Sequence, residues 1–327
     1  MRRTAANHVI AVDLGGTKLS AALVNGKGKI LERTSVSVDR FSPLAPVSQI
    51  IKSARELIGR ERVKGKPAAV GVAVPGLARR DGTVWAPNLR GWKKMALARR
   101  LRVALRLPVI VESDRNAAVV GETWRGAARG KSDAIVLMLG TGIGAGILSG
   151  GRLLRGAHEL AGCAGWMVVT DVFGREAQRV GQLEWLAAGP AIAREAKKHL
   201  SKTARRLSGV RGKAIQARQV ADAARRGDSA SIKVYLEAGR LLGYGVANLV
   251  SLFDPEIIVI GGGLAQASDL FLDALRKSMK ERAQPLALKQ TRLVTSALGA
   301  DANLLGVARL ALAYTHLPAR AKVNHTE

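Results

Sequence analysis

The chain has 327 residues, and its 52 lysines and arginines against 25 aspartates and glutamates give a formal net charge of +27. Its length allows one large or two ordinary folded domains, and its hydrophobic share of 47% excludes a disordered chain. The single cysteine excludes an internal disulfide and a zinc site built from several thiolates. No run approaches the roughly 18 to 20 apolar residues that cross a bilayer, and no apolar segment of signal-peptide type precedes Asp13. We therefore predict a soluble, cytoplasmic protein without a membrane partner.

The positive charge admits two interpretations, a nucleic-acid binder or an enzyme with a basic surface. The basic residues concentrate in two helical-looking segments, 93–106 and 194–226, which contain few aromatic residues. Neither segment has a zinc-finger, RNP or basic-zipper pattern. We favour a solvated basic face and do not expect a nucleic-acid partner.

The first half of the chain alternates predicted strands and helices. Asparagine and glycines at 25–28 separate two strands, which indicates a β-hairpin. Apolar runs and helical periodicity predict the other elements. We expect strands at 9–13, 19–24, 29–38, 68–74 and 109–112, and helices at 44–62 and 92–106.

The second half repeats this order. An apolar strand again leads into a glycine turn, Gly140-Thr141-Gly142, and a further strand follows. We expect strands at 134–139, 145–148, 152–154, 256–260 and 291–295, and helices within 183–251 and at 269–282 and 301–314. The repeated strand–turn–strand unit suggests an internal duplication, an arrangement that usually places a ligand between its halves.

No serine-rich, glutamine-rich or proline-rich linker separates the halves, so we expect a short junction near residue 117. An N-terminal α/β domain would cover 1–117, and a larger C-terminal α/β domain would cover 118–300. The last helix, about 301–316, would pack back on the first domain, and 317–327 would form a disordered tail.

The first candidate site is the run Asp13-Leu14-Gly15-Gly16-Thr17-Lys18. A strand delivers the carboxylate of Asp13 to its end, and the glycines let backbone N–H groups approach an anion. A hydroxyl and an ammonium suit phosphate oxygens, and Asp13 could hold Mg²⁺, usually through water. The alternative is a plain glycine hairpin with a solvated acid and base.

Two further glycine runs point to the same chemistry. The run 139–146 lacks the following helix of a dinucleotide fingerprint, but with the first turn it suggests two phosphate loops, as for ATP. The triplet Gly261-Gly262-Gly263 ends a strand and would allow close approach of a flat ligand such as adenine. The alternatives are a tight β-turn and a strand-to-helix turn.

Asp114 follows the predicted strand Val109–Glu112 and precedes an alanine-rich helix. Its position suits a helix N-cap. It also suits a general base at the mouth of a cleft between two domains. Both interpretations stay open at this point.

These blocks together resemble the ROK family of sugar kinases and related repressors, in the actin-like ATPase superfamily. The resemblance runs from Val9 to about Tyr314, with every block in family order. It implies a two-domain α/β actin-like ATPase fold, which is ribonuclease-H-like and has an interdomain cleft. The matching blocks are DLGGTK, GVAVPGL, PNLRGW, ESDRNAAVVGE, LGTGIGAGI, GQLEWLAAG and IVIGGGL.

The resemblance implies ATP-dependent phosphorylation of a hexose-type hydroxyl, as in a glucokinase, with Asp114 as the catalytic base. The family's phosphate and Mg²⁺ cradle corresponds here to Asp13, Gly15, Gly16, Thr17, Lys18, Gly140, Thr141, Gly142 and Gly144. Gly261, Gly262 and Gly263 would lie beside the adenosine. The family also makes a homodimer the expected assembly.

The implied sugar-binding positions are Gly76, Asn88, Ser113, Cys163, Trp166 and Glu184. Several depart from the family pattern. The usual Asn-Asp-Ala-Asn reads Ser-Asp-Arg-Asn at 113–116, and the cation of Arg115 would lower the pKa of Asp114 if the two are close. The usual Gly-Glu-x-Gly-His reads Gly-Cys-Ala-Gly-Trp at 162–166. Glu184 matches the family's second sugar-binding glutamate, and we expect an altered acceptor.

The family's three-cysteine zinc loop is also missing, because residues 171–182 contain no cysteine. We therefore predict no structural zinc. Trp166 would then fill core space, or alternatively form a stacking platform for a ligand. Cys163 would be a small buried hydrophobe, or alternatively a reactive thiol.

Two other functions stay open. A non-catalytic sugar- or nucleotide-binding regulator is one, although the first strand begins by His8 and leaves no room for the helix-turn-helix of the family's repressors. A sugar kinase that uses polyphosphate as donor is the other, because the basic surface would favour a polyanion.

Overall fold

The structure is a computed structural model that describes residues 8–59, 65–171, 173–199 and 215–316. The predicted tail, 317–327, lies outside the described residues, as does the middle of the basic segment 194–226. No described helix is both long enough and apolar enough to cross a membrane.

The chain divides into two compact units. The described part of the first comprises residues 8–59, 65–130, 155–161 and 297–316. The second comprises 131–154, 162–171, 173–199 and 215–296. The expected junction at residue 117 lies inside a helix, α3 (Asp114–Arg125), so the division falls after Gly130 instead.

The first unit is built on a mixed five-stranded sheet. Its strands stand in the order β3-β2-β1-β4-β7, with the first three antiparallel and the last three parallel. A small hairpin, β5-β6, follows β4. The strands are β1 (His8–Leu14), β2 (Lys18–Asn25), β3 (Ile30–Ser37), β4 (Val70–Val74), β5 (Leu77–Ala78), β6 (Val84–Trp85) and β7 (Val109–Ser113).

Burial explains the order of this sheet. Every residue of β4 is buried, which is typical of a central parallel strand covered on both faces, whereas β3 alternates and lies at the edge. Helices α1 (Ala45–Gly59) and α2 (Leu97–Leu105) pack on one face. Helices α3 and α11 (Ala302–His316) pack on the other, where α11 contacts β1, β4 and α3.

The predicted helix 92–106 begins only at Leu97. Residues before it form a turn, in which the backbone N–H of Met95 donates to Val84 O at 2.9 Å and the N–H of Val84 donates back at 2.8 Å. Backbone pairing with β6 therefore prevails over the helical periodicity of this segment.

The second unit contains another five-stranded sheet, in the order β10-β9-β8-β11-β12. Its strands are β8 (Ala134–Leu139), β9 (Ile143–Ser149), β10 (Arg152–Leu153), β11 (Ile257–Gly261) and β12 (Arg292–Thr295). Its helices are α4 (Arg175–Val180), α5 (Gln182–Ala187), α6 (Gly189–His199), α7 (Ala217–Arg225), α8 (Ser229–Phe253), α9 (Ser268–Arg282) and α10 (Pro285–Gln290). Short 3-10 helices cover Ala164–Trp166 and Gly263–Ala267 here, and Gly299–Asp301 in the first unit.

The two sheets share one topology. In each, two antiparallel pairs are followed by two parallel pairs, and the sequence of strands along the chain is the same. The strands expected in both halves are present within two residues of the expected bounds. The α/β class is confirmed, and the topology supports the internal duplication.

Candidate active site

The first glycine turn joins β1 to β2 in the first unit. It is closed by a hydrogen bond from the N–H of Gly15 to Lys18 O at 2.9 Å. Thr17 and Lys18 are exposed, while Asp13 lies one residue before the end of β1 and is half-buried. The turn thus presents a hydroxyl, an ammonium and backbone N–H groups to solvent beside a half-buried carboxylate.

Asp13 is held by a residue that belongs to none of the sequence motifs. Asn303, in the first turn of α11, donates from Nδ2 to Asp13 Oδ1 at 3.2 Å. The Oδ1 atom of Asn303 is buried and has no hydrogen-bond partner among the described residues. Burial raises the pKa of Asp13 to about 7, although the bond from Asn303 lowers it, while nearby Asp114 raises it further.

Asp114 is the first residue of α3, and Ser113 occupies the N-cap position. The N-cap interpretation of Asp114 is therefore wrong. Its Oδ1 accepts a hydrogen bond from the N–H of Arg115 at 2.8 Å. Burial raises the pKa of Asp114, and the cation of Arg115 only partly offsets this, so the expected lowering does not prevail.

A buried glutamate supports the end of β7 next to Asp114. Glu112 accepts hydrogen bonds from Asn116 Nδ2 at 2.9 Å and from the N–H of Ser113 at 3.0 Å. It also forms an ion pair with Arg155, whose Nη2 lies 2.7 Å from Glu112 Oε2. Sequence reasoning missed this network, because Arg155 lies 43 residues further along the chain.

The remaining candidates of the first unit differ in accessibility. Gly76 lies in the turn between β4 and β5 with φ +94°, and Asn88 is exposed. Ser113 is only 2% exposed, and its N–H is bound to Glu112. Asn88 is therefore accessible to a ligand, whereas Ser113 is buried next to Asp114 and helps to hold it in place.

The second glycine turn joins β8 to β9 in the second unit. The N–H of Gly140 donates to Gly142 O at 3.0 Å, and Thr141 is exposed. Glu184, on α5, accepts a hydrogen bond at Oε2 from the N–H of Ile143 at 2.8 Å. Burial raises the pKa of Glu184, and the bond from Ile143 lowers it. The structure thus brings Glu184 onto the glycine turn, where a Cβ on Gly142 would stand 2.7 Å from Glu184 Oε2.

The triplet Gly261–Gly263 lies beside the same turn. Gly262 has φ +83°, and a Cβ there would stand 2.3 Å from Leu139 O, so only glycine fits against the end of β8. A Cβ on Gly263 would meet nothing within 4 Å. The triplet leads into the 3-10 helix Gly263–Ala267 and leaves open space at its last glycine.

The stretch 162–166 packs under Glu184. A Cβ on Gly165 would lie 2.9 Å from both Glu184 Cβ and Ile143 O. Cys163 is half-buried, and Trp166 is 55% exposed. The core-filling interpretation of Trp166 is therefore wrong, because most of the indole faces solvent.

The sequence model of the ROK family matches residues 9–314. The chain belongs to the ROK family. A glucokinase of Streptomyces coelicolor is 34% identical over 316 residues, which cover 92% of this chain and 96% of the glucokinase. The bifunctional enzyme NanE/NanK of Brucella suis is 37% identical over 314 residues, which cover 94% of this chain and 53% of that enzyme.

A solved structure with the same fold is the ROK family glucokinase from Streptomyces griseus in complex with glucose and AMPPNP. It superposes with a TM-score of 0.79 at 31% identity, covering 94% of this chain and 99% of the glucokinase. The resemblance to the ROK family is thus confirmed over nearly the whole chain.

In this ROK chain the side-chain amide of Gln182, the first residue of α5, holds the loop before α4. Gln182 is 1% exposed, and its Oε1 accepts hydrogen bonds from the N–H groups of Val169 at 2.6 Å and Thr170 at 3.0 Å. Its Nε2 donates to Thr170 O at 3.0 Å. Within the described residues, no three His, Cys, Asp or Glu side chains come together as a metal site.

Proposed function

We propose that this protein is an ATP-dependent kinase that phosphorylates a sugar hydroxyl. The observation that carries the proposal is the pair Asp13 and Asp114 in the first unit. Both carboxyls have raised pKa values, and the two are close enough to influence one another beside an exposed glycine turn. Similarity to glucokinases supports this reaction class.

In this proposal Asp114 is the catalytic base. Burial raises the pKa of Asp114, and a carboxyl with a raised pKa is a stronger base than an ordinary aspartate. The acceptor hydroxyl would transfer its proton to Asp114 as its oxygen bonds to the γ-phosphorus of ATP. The bond between that phosphorus and the β,γ-bridging oxygen then breaks, and ADP leaves. The hydrogen bond from the N–H of Arg115 orients the carboxylate for this step.

The residues beside the first turn fit Mg²⁺. Proteins usually bind this ion through one or two carboxylates together with waters and substrate phosphates, so Asp13 alone is an adequate protein ligand. The buried, unpartnered Oδ1 of Asn303 is a second oxygen next to Asp13, suited to accept from a water of the ion. When bound, Mg²⁺ would neutralise charge on the phosphates.

We assign the ATP-binding residues in both units. Thr17 and Lys18 would bind phosphate oxygens with the N–H groups of Gly15 and Gly16, since the side chains of Thr17 and Lys18 are exposed. In the second unit the phosphate residues would be Gly140, Thr141, Gly142 and Gly144. The open space at Gly263 supports Gly261–Gly263 as the adenosine-side residues.

The residues proposed to bind the acceptor differ from those of the family, and this difference supports a sugar other than glucose as the preferred substrate. The proposed residues are Gly76, Asn88, Cys163, Trp166 and Glu184, while the buried Ser113 supports Asp114 and is not proposed to bind the acceptor. A thiol and an indole replace the family's acidic and imidazole contacts, and the exposed Trp166 suits stacking on the apolar face of a sugar ring. The carboxylate of Glu184 remains to bind a hydroxyl.

A coupled assay of ADP release, run over hexoses, hexosamines and N-acylated sugars, tests the proposal. We expect at least one sugar to stimulate ADP release, and the stimulation to disappear in Asp114→Asn. If no sugar in the panel stimulates ADP release by wild-type protein that binds ATP, the proposal fails.

The charge of +27 favours one second candidate, a kinase with polyphosphate as donor. ATP and polyphosphate would be compared in the same assay with the best acceptor. If sugar phosphate forms only with polyphosphate, then polyphosphate replaces ATP as the proposed donor.

A further inference from the structure

We propose that Arg115 is a positioning residue of the acceptor site, whose guanidinium fixes the segment 155–161 and the Gly76 turn around Asp114. This inference rests on the proposed sugar kinase activity. All the groups involved lie in the first unit.

The side chain of Arg115 binds three backbone carbonyls from two separate parts of the chain. Its Nε donates to Ala161 O at 3.3 Å, and its Nη2 donates to Glu159 O at 3.3 Å. Its Nη1 donates to Gly76 O at 3.4 Å. The guanidinium has several N–H donors in a rigid plane, so it can reach three separate carbonyl oxygens at once. The single ammonium of a lysine cannot.

Arg115 is a costly residue to place here, since it is only 9% exposed. Within the described part of the chain, no carboxylate lies within ion-pair distance of its guanidinium. Burial of a charged group is unfavourable unless hydrogen bonds compensate it. The three carbonyls supply that compensation, so Arg115 and the two segments stabilise one another.

The segment 155–161 needs such support. Glu159 has φ +56°, a left-handed conformation that is unfavourable for this residue type and persists where surrounding contacts enforce it. Two other arginines hold the segment from its sides: Arg155 pairs with Glu112 at 2.7 Å, and Arg80 pairs with Glu159 at 3.4 Å. Of the three arginines, Arg115 is the buried one.

This arrangement links the segment to the chemistry. The N–H of Arg115 donates to Asp114 Oδ1, so one residue orients the base through its backbone and the surrounding segments through its side chain. The segment also continues through Gly162 into Cys163, a proposed acceptor residue. Small displacements of positioning groups reduce phosphoryl transfer strongly, because catalysis depends on the alignment of the reactants.

Hydrogen exchange of the purified protein tests the contact directly. In Arg115→Ala we expect the amides of 155–161 to exchange about tenfold faster or more, while peptides from β8 stay unchanged. Arg115→Lys retains the charge without the planar guanidinium and should be intermediate. Arg99→Ala, at an exposed arginine of α2, is the matched control and should leave 155–161 protected. If the amides of 155–161 exchange at the wild-type rate in Arg115→Ala, the proposal is overturned. If the alanine variant does not fold, a wild-type exchange rate in Arg115→Lys overturns it instead.

Steady-state kinetics test the consequence. Arg115→Ala should raise the acceptor KM about tenfold and leave the ATP KM within about twofold, with partial recovery in Arg115→Lys. Faster exchange with unchanged acceptor KM and kcat would make Arg115 merely structural and overturn the proposal. If wild-type protein phosphorylates no sugar, the proposed function fails, and exchange at 155–161 alone decides whether Arg115 holds this segment.

Discussion

The two glycine turns occupy the same place in two sheets of one topology, yet they carry different chemistry. In the first sheet Leu14 pairs with Leu19, and in the second Leu139 pairs with Ile143. The preceding residue is Asp13 in the first sheet and Met138 in the second. A carboxylate therefore stands at the end of one strand, where a thioether stands at the end of the other.

The second turn obtains its carboxylate from elsewhere. Glu184 reaches it from α5 and binds the N–H of Ile143, whereas the N–H of Gly15 in the first turn is bound within the turn itself. The duplicated frame thus supplies the strand–turn–strand geometry, while the acidic groups come from positions particular to each unit. This difference separates Asp13, which is expected to bind the metal, from Glu184, which is expected to bind the acceptor.

Removal of the base in the first unit should have the largest effect. Asp114→Asn should lower kcat by about 10² to 10⁴-fold, the range that general-base catalysis contributes. The ATP KM should change by less than about threefold, because the substitution retains the shape of the side chain. Loss of ATP binding instead, measured by calorimetry, would place Asp114 in the nucleotide site and contradict its assignment as the base.

Asp13→Asn should reduce kcat about 10²-fold and also change how stability depends on pH. A folded-state pKa raised from 3.8 to about 7 means that the folded protein binds this proton more tightly than the unfolded chain does. Stability should therefore fall as pH rises from about 4 to 7, by at most about 4 kcal/mol.

Urea unfolding in metal-free buffer checks this second prediction. Asp13→Asn should be more stable than wild type at pH 8 and similar to it at pH 4. If the free energy of unfolding depends on pH in the same way in both proteins, burial of Asp13 does not cause the predicted loss of stability.

In the second unit, Glu184→Gln should mainly weaken acceptor binding. A charged hydrogen bond contributes about 1.5 to 3 kcal/mol, so the acceptor KM should rise by about 10 to 100-fold while kcat changes little. The amide can still accept from the N–H of Ile143, and stability should be retained. Glu184→Ala, which leaves that N–H unpaired, is the control and should be less stable. A large drop in kcat for Glu184→Gln would contradict the assignment of Glu184 to acceptor binding.

Asn303→Ala should have a smaller effect, confined to the first unit. Without the bond to Asp13, half-saturating Mg²⁺ in the presence of ATP should rise about tenfold, as for other residues that orient a metal-binding carboxylate. Calorimetric titration of Mg²⁺ into the ATP-loaded protein measures this without turnover. Unchanged Mg²⁺ affinity would show that Asp13 needs no orienting partner.

The smallest expected effect concerns the second unit and follows removal of metal ions by a chelator. Because Gln182 holds the loop before α4 through hydrogen bonds to Val169 and Thr170, excess EDTA should leave the thermal midpoint unchanged within about 1 °C. Gln182→Ala should instead lower stability by about 1 to 3 kcal/mol. A drop in the midpoint on chelation would reveal a structural metal.

Most of the fold follows from local patterns. Apolar runs that end in glycine turns locate the strands, since β1, β4, β8 and β11 are buried on both faces. The start of α2 does not follow, because the pairing of Met95 with Val84 is a tertiary contact.

The site is predictable where residues are adjacent and not where distant parts of the chain meet. The bond from Asn303 to Asp13 joins residues 290 positions apart and leaves no local pattern. The sequence shows the cation beside Asp114 but not the burial that outweighs it. Likewise the residue type of Trp166 favours the core, yet the side chain is 55% exposed.

The place of α11 in the first unit has a consequence for how the protein is made. A ribosome releases β1 and its glycine turn first, and Asn303 and the helix that covers β1 and β4 emerge almost 300 residues later. The part of this face that α11 covers, over β1 and β4, therefore stays exposed while the second unit is translated and can fold. A nascent chain thus cannot assemble the Asp13–Asn303 pair early, and chaperones that recognise exposed apolar strands have their longest opportunity at β1 and β4.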